Sequence, residues 1–334
     1  MLEMTNRYIA LKRRPTGIPT DDDFEMLETS IRDISDGEVL RRTVYISLDP
    51  YIRRLLSPEE SGWSPLPLGR TIGGDTVSVV IASRNPEFAE GDYVAGGDGW
   101  QEYGLSDGGG LRKIDPELTP KSLAIGALGM HGRTAYGALL DIGQPKPGET
   151  VVVSAAAGAI GSLAGQIAKI KGCRTVGITG SDEKCRVVTE VLGFDACVNH
   201  RSESLSQALR EACPDGIDVY YDNVAGTVLE AVLDNIRHGA RIALVGLISQ
   251  YNANGRPAGP NLVPLLANAA MIKGYQGVPS KTLESFDQDM GQWIREGRVK
   301  ALEHVVTGLE NAPRAFIGLF AGENIGKLLV YIPE

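Results

Sequence analysis

Hydrophobic and polar positions divide the chain into three textures. Up to about residue 125 the apolar residues come in short runs, such as 38–45 and 76–82. Between them stand breaks such as Pro65-Leu66-Pro67, Gly73-Gly74, Gly96-Gly97 and Gly108-Gly109-Gly110. Short β-type runs between such breaks predict an irregular all-β unit. From 126 to 293 strand-like runs alternate with longer helical patterns: strand 150–154, helix 160–171, strand 174–178, helix 182–192. That alternation predicts βαβ units and a parallel sheet, an α/β domain. The remainder, 294–334, holds an apolar run at 299–306 and a strand-like 327–332. It is too short to fold alone and is expected to return to the first domain, 1–125.

The segment 150–172 reads TVVVSAAAGAIGSLAGQIAKIKG. A β-branched run meets a small-residue turn and then a helix with Ile160, Leu163, Ile167 and Ile170 on one face. This is the strand–turn–helix setting of a dinucleotide fingerprint. Gly158 would let the backbone approach a pyrophosphate, and Gly161 would let the helix pack close to the strand. The helix N-terminus, with Ala159 and Ile160 leading into it, offers free N–H groups to the anion. Ala156 takes the place of the first glycine of G-x-G-x-x-G, so the turn by itself also describes a tight βα turn without a ligand. Its flanking strand and helix favour the nucleotide.

The second strand bears on which nucleotide. NAD sites usually end it in Asp or Glu to hold the ribose 2′-hydroxyl. Here Val176-Gly177-Ile178-Thr179-Gly180-Ser181 has none; Lys184 follows, and His200-Arg201 comes after the strand-like 196–199. Cationic donors suit a 2′-phosphate, so NADP(H) is expected. Lys184 on a solvated face and His200 as an ordinary loop histidine are the plain alternatives, and Asp182 or Glu183 could still reach a ribose. Next come GIDVYYDN (216–223) and ARIALVG (240–246), the latter running into LISQYN. Ligands of open α/β sheets sit at the carboxyl ends of strands, which puts Asn223 and Tyr251 near the nicotinamide.

Composition narrows the partners. The chain has 334 residues, 43% hydrophobic and 22% charged, with a formal net charge of -9. That balance argues against nucleic acid or an anionic membrane as the main partner, since both reward a basic face. A phosphorylated ligand needs only a local cationic cluster. Cys173, Cys185, Cys197 and Cys213 form no C-x-x-C pair and the four histidines are scattered, so no metal site is expected. They read as reduced thiols of a cytoplasmic protein. The start, MLEMTNRYIALKRRP, lacks a signal-type apolar core. No window approaches the ~18 apolar residues of a membrane span.

With these pieces assembled, the chain resembles the zinc-independent medium-chain dehydrogenase/reductases. The similarity is greatest to the branch of prostaglandin reductases, leukotriene B4 dehydrogenases and alkenal double-bond reductases that includes the bacterial curcumin reductases. Its carriers run nearly end to end: Arg14-Pro15-x-Gly17-x-Pro19, SLDPYIRR (47–54), GDYVAGGDGWQEY (91–103), TAYGALLDIG (134–143), DEKC, LGFDA, PDGIDVYYDNVAG and GENIGKLLV. The resemblance implies a GroES-like β domain, a Rossmann domain with NADP(H) in the cleft between them, and a homodimer built by pairing Rossmann sheets edge to edge. Carried over motif by motif, the turn Gly158-Ala159-Ile160-Gly161 would hold the pyrophosphate. Lys184 and His200 would hold the 2′-phosphate. Asn223, the run Val245, Gly246, Leu247, Ile248, Ser249 and Tyr251, and Tyr275 would line the nicotinamide ribose. Asn324 of GENIGK would reach the cofactor from the returning segment. Where zinc-dependent relatives carry a Cys and a Gly-His-Glu motif, this chain has Ile46-Ser47-Leu48-Asp49-Pro50 and no Gly-His-Glu.

The implied reaction is conjugate reduction of an α,β-unsaturated ketone or aldehyde. Charge then gathers on the carbonyl oxygen and calls for a hydrogen-bond donor there. Tyr251 is the first choice, with Tyr51 of DPYIRR as a second donor, or simply as a packing residue. Quinone reduction, ketone/alcohol interconversion and a non-catalytic NADPH-binding role are the competing readings. One block departs from the family: His131-Gly132-Arg133 stands where Pro-Gly is usual. A cation there would either favour an acidic substrate or pair with a nearby carboxylate.

Overall fold

The computed structural model describes residues 4–57, 64–201, 204–255, 257–277 and 280–334. It divides into two compact units: Met1–Gly126 with Glu303–Asn324 and Leu328–Glu334, and Ala127–Leu302 with Ile325–Lys327.

The first unit opens with β1 (Thr5–Leu11) and β2 (Phe24–Ser30), which pair antiparallel. Next come β3 (Val39–Ser47), the short α1 (Ile52–Leu55), β4 (Thr76–Ser83), β5 (Tyr93–Gly96), β6 (Tyr103–Ser106) and β7 (Arg112–Lys113). The long β3 pairs antiparallel with both β4 and β6 and so anchors the sheet.

The second unit begins with α2 (Met130–Ala138), β8 (Thr150–Ser154), α3 (Gly161–Ile170), β9 (Arg174–Thr179) and α4 (Asp182–Arg186). It continues through β10 (Ala196–Asn199), α5 (Leu205–Ala212), β11 (Ile217–Asp222), α6 (Gly226–Leu233) and β12 (Ile236–Leu244). It closes with α7 (Val263–Ala267), β13 (Met271–Gly274) and α8 (Phe286–Arg295). The chain then runs through β14 (Glu303–Thr307), α9 (Ala312–Ala321) and β15 (Lys327–Tyr331).

The order β10-β9-β8-β11-β12-β13 is parallel throughout. Numbered within the unit this is 3-2-1-4-5-6, the doubly wound Rossmann order, with its reversal between β8 and β11. Covered on both faces, β8 is an unbroken apolar run, and Val151, Val152 and Val153 are wholly buried. Helix α3 packs tightly: a Cβ on Gly165 would fall 1.8 Å from Phe194 Cζ.

In the first unit, Trp100 stacks with Phe24 and meets Phe316 of α9 edge-on, inside a core that also holds Ile46, Leu48 and Val330. Strand β15 pairs with β3. The returning segment thus supplies a core face rather than a tail.

Two boundaries differ from the sequence pattern. The helix expected over 182–192 is α only to Arg186 and finishes as a π-helical turn at Val187–Val191. The apolar run 299–306 becomes strand only from Glu303, and 294–302, expected to return to the first domain, stay with the second unit. Buried Val299 donates its amide to Trp293 O, and Lys300 N donates to Gln166 Oε1 of α3 at 2.8 Å. Apolar residues alone did not reveal that these contacts hold 299–300 against helices.

Candidate active site

The carboxyl ends of β8 and β11 meet where the strand order reverses, the place where α/β sheets bind ligands. Ser154, the last residue of β8, ties them together. Its hydroxyl donates to Asp222 Oδ1 at 3.2 Å and accepts from Asn223 N at 2.9 Å, while Asn223 Nδ2 donates to Ser154 O at 2.7 Å. Asp222 is fully buried, and its Oδ1 also takes donors from Tyr220 OH, Val224 N and Ala225 N. Burial raises its carboxyl above the usual range, partly offset by these donors. Its Oδ2 has no partner among the described residues.

The loop after β12 closes over this pair. Val245 N and Gly246 N donate to Asp222 O, Ile248 N donates to Asn223 O, and Ser249 Oγ donates to Val224 O. A Cβ on Gly246 would sit 2.9 Å from Asn223 O, so bare backbone is required at that approach. Leu247 N donates to the Tyr251 hydroxyl at 3.3 Å. Asn223, 245–249 and Tyr251 therefore form one cluster. Tyr275, just beyond β13, lies with its hydroxyl buried and unpartnered among the described residues. A Cβ on Gly137 of α2 would come within 2.2 Å of that hydroxyl. Burial raises its pKa, keeping the phenol protonated.

On the other side of β8 the chain makes its turn. Ala155 adopts φ +49°, Gly158 N bonds back to Ala155 O at 2.8 Å, and Gly161 opens α3. A Cβ on Gly161 would collide with Ala155 O at 2.4 Å. Ala225, at the β11–α6 turn, has φ +62°. Non-glycine residues at positive φ are uncommon and cluster at functional sites. The returning segment meets this turn: Gly326 N donates to Ala157 O at 2.7 Å, and Gly158 and Gly326 form a parallel bridge. At the start of α3, Ser162 N donates to Gly158 O and Leu163 N to Ile160 O, each at 3.1 Å, so an anion at this turn would be met by the amides ahead of Ser162.

At the end of β9 two cations, Lys184 and Arg201, converge with the imidazole of His200. A Cβ on Gly180 would lie 3.2 Å from His200 Nε2 and 3.8 Å from Arg201 Nε. Lys184 is half-buried in the first turn of α4, where Ser181 caps its amide. Desolvation lowers the Lys184 and His200 pKa values, and Arg201 lowers both further by like-charge repulsion. Nearby Asp182 accepts from Asn199 Nδ2 at 2.8 Å. A bare phosphate-type turn, a helix N-terminus and a basic trio one strand away match the pyrophosphate and 2′-phosphate of a dinucleotide.

Known proteins agree with this architecture. A family described as "N-terminal domain of oxidoreductase" matches residues 7–114, and one described as "Zinc-binding dehydrogenase" matches residues 159–289. The chain is 45% identical to the NADPH-dependent curcumin reductase of Escherichia coli (strain K12), over 98% of this chain and 97% of that protein. It is 43% identical to prostaglandin reductase 1 of Mus musculus, over 96% and 97%. The crystal structure of CurA in complex with NADPH from Vibrio vulnificus matches with a TM-score of 0.93 at 43% identity, covering 98% of this chain and 99% of that one. The chain belongs to the zinc-independent medium-chain dehydrogenase/reductases, in the curcumin and prostaglandin reductase branch.

For a member of this family the departure at 131–133 is resolved locally. Arg133 lies over the Phe286 ring, 4.8 Å from its centroid, and binds both oxygens of Asp287 at 3.0 and 2.9 Å. Its charge is paired. Tyr51 and Asn324 belong to the first unit. Half-buried Tyr51 packs beside the core around Ile52 and Leu56. Burial, and then Asp49 and Asp75, hold its hydroxyl far above the ordinary range. Asn324 directly precedes Ile325–Lys327, the piece that pairs with the phosphate-type turn. Among the described residues no group of three or more His, Cys, Asp or Glu side chains could hold a metal. No helix there is long and apolar enough to cross a membrane. Sequence reasoning missed Ser154 and Asp222, whose pairing joins strands 68 residues apart.

Proposed function

We propose that this chain is an NADPH-dependent reductase that saturates the C=C bond of α,β-unsaturated ketones and aldehydes. Its full-length similarity to an NADPH-dependent curcumin reductase carries that reading. The basic trio beside a carboxylate-free β9 end supports the phosphorylated cofactor, and the partnership of Asp182 with Asn199 is consistent with it. Gly158, Ala159, Ile160 and Gly161 would cradle the pyrophosphate, and Lys184, His200 and Arg201 the 2′-phosphate. Asn223, the 245–249 loop, Tyr275 and Asn324 would line the ribose and ring.

When bound, the dihydronicotinamide supplies the hydride for the substrate β-carbon. The chain's task is then to meet the charge that develops on the carbonyl oxygen. Tyr251 suits it, because its oxygen already accepts the Leu247 N–H and its proton remains available to donate. Tyr51, kept neutral by burial, would donate or wall the pocket. Buried Asp222 acts as a positioning group for Asn223 through Ser154.

We also propose a cytoplasmic homodimer. What supports the dimer is β13, the sheet's edge strand, whose four residues are all exposed. Met271 and Ile272 add to the exposed Leu262, Val263 and Leu266. Exposed apolar edges invite pairing with a second chain. The catalytic proposal is tested by NADPH oxidation with 3-nonen-2-one, a simple quinone and a saturated ketone. Turnover confined to the saturated ketone or the quinone would overturn it.

A further inference from the structure

Cys185 and Cys197 are not used by the chemistry above, yet the fold holds them together. Cys185 follows Lys184 in α4, and Cys197 lies on β10 in register with Gly177. The Thr179 hydroxyl, at the end of β9, reaches both sulfurs, at 3.0 Å from Cys185 Sγ and 3.7 Å from Cys197 Sγ. One hydroxyl thus stands against both sulfurs, which belong to neighbouring elements, α4 and β10. A Cβ on Gly177 would fall 3.3 Å from Cys197 Sγ and 2.9 Å from Ala156 Cβ, so glycine there leaves room for the sulfur beside the phosphate-type turn. All four cysteines are free thiols; Cys185 and Cys197 are half-buried, whereas Cys173 and Cys213 are buried.

We propose that Cys185 and Cys197 form a dithiol site that hydroperoxides convert to a disulfide, and that this disulfide weakens binding of the 2′-phosphorylated cofactor selectively. The proposal rests on the assignment of Lys184, His200 and Arg201 to the 2′-phosphate. The chemistry balances in two steps. The Cys185 thiolate attacks one oxygen of the hydroperoxide, the O–O bond breaks, and the alkoxide leaves as the alcohol after taking a proton, giving a sulfenic acid. Cys197 sulfur then attacks that sulfenic sulfur, and hydroxide leaves with the Cys197 proton as water. Two thiols are oxidised and one hydroperoxide is reduced by two electrons.

Charge and burial fit this division of roles. Contact with Cys197, with help from Thr179, lowers the Cys185 thiol below its ordinary value, while the same contact and burial push Cys197 up. A thiolate attacks and a protonated partner resolves. Burial raises Cys173 and Cys213 to about 11, leaving them unreactive at neutral pH. Bonded sulfurs stand at about 2.05 Å, so closing the bond draws in two sulfurs that the Thr179 hydroxyl now spans. That pull acts on the residue next to Lys184 and breaks the Thr179 bridge two residues before Ser181, the cap of the Lys184 amide.

The test treats the purified full chain with hydrogen peroxide, maps disulfides by mass spectrometry, and titrates NADPH and NADH before and after. The expected result is a 185–197 cross-linked peptide pair two hydrogens lighter. NADPH affinity should fall about fivefold or more with NADH nearly unchanged, restored by dithiothreitol. Cys185→Ser and Cys197→Ser should each abolish the cross-link and the loss of affinity. A chain that forms no 185–197 bond overturns the proposal, and so does a bond that leaves NADPH affinity unchanged or weakens both cofactors alike. If the reduced chain binds NADPH no better than NADH, the 2′-phosphate assignment falls and the selective effect with it, whereas the cross-link itself reports on the dithiol alone.

Discussion

Replacing Lys184 by Met keeps most of the apolar stem and removes only the charge, which isolates what the ammonium does. Lys184 is half-buried, and desolvation and then the Arg201 charge disfavour its ammonium, so in the free chain it is held at some cost. A phosphate dianion would reverse the sign of that local field. A hydrogen bond to a charged group is worth about 1.5–3 kcal/mol, roughly 10- to 150-fold in Kd. Arg201 and the His200 imidazole remain in the variant, and the repulsion between Arg201 and Lys184 is relieved, which places the expected loss near the lower end, at about tenfold for NADPH. NADH lacks the 2′-phosphate and should bind the variant within about twofold of the parent. Fluorescence or calorimetric titration of both cofactors on both proteins measures this. Equal weakening of NADPH and NADH, or none of either, would refute the placement of the 2′-phosphate at this trio.

Tyr251→Phe should lower kcat by about 2–4 kcal/mol of transition-state stabilisation while NADPH affinity stays within twofold; unchanged kcat would remove Tyr251 from the chemistry. His200 starts below its ordinary pKa because burial, Arg201 and Lys184 disfavour its charge. A bound phosphate favours that charge, so binding takes up a proton and NADPH affinity should rise as pH falls from 8 to about 6.5, above the phosphate's own ionisation near 6. The NADH titration should stay flat, and His200→Gln should flatten the NADPH one; a pH slope that survives in the variant would sink the argument. In Gly161→Ala the added Cβ meets Ala155 O at 2.4 Å, and relieving that overlap should cost about 1–3 kcal/mol. Thermal unfolding should therefore fall by several degrees and NADPH should bind more weakly, and an unchanged Tm would show that the turn relaxes freely.

The parallel sheet was legible because β8 is buried on both faces and must therefore be apolar without alternation, while α3 shows a helical period. The preference for a phosphorylated cofactor was legible as a missing carboxylate. What stayed hidden lies in long-range or conformational facts. Ser154 and Asp222 look like ordinary strand-end residues until β8 and β11 are set side by side. Ala155 and Ala225 carry positive φ values that alanine never advertises. The 294–302 segment stays with the second unit because Gln166, far away in sequence, binds Lys300 N. Arg133 could be read from its type as a substrate cation or as an ion pair, and only the position of Asp287 decides between them.

The central claim concerns where the hydride goes. The most direct measurement uses NADPH carrying deuterium at both C4 positions with an α,β-unsaturated ketone and examines the product by NMR and mass spectrometry. The account predicts a saturated ketone with one deuterium on the former β-carbon and the carbonyl intact. An allylic alcohol with deuterium on the carbinol carbon and the C=C bond preserved would contradict it.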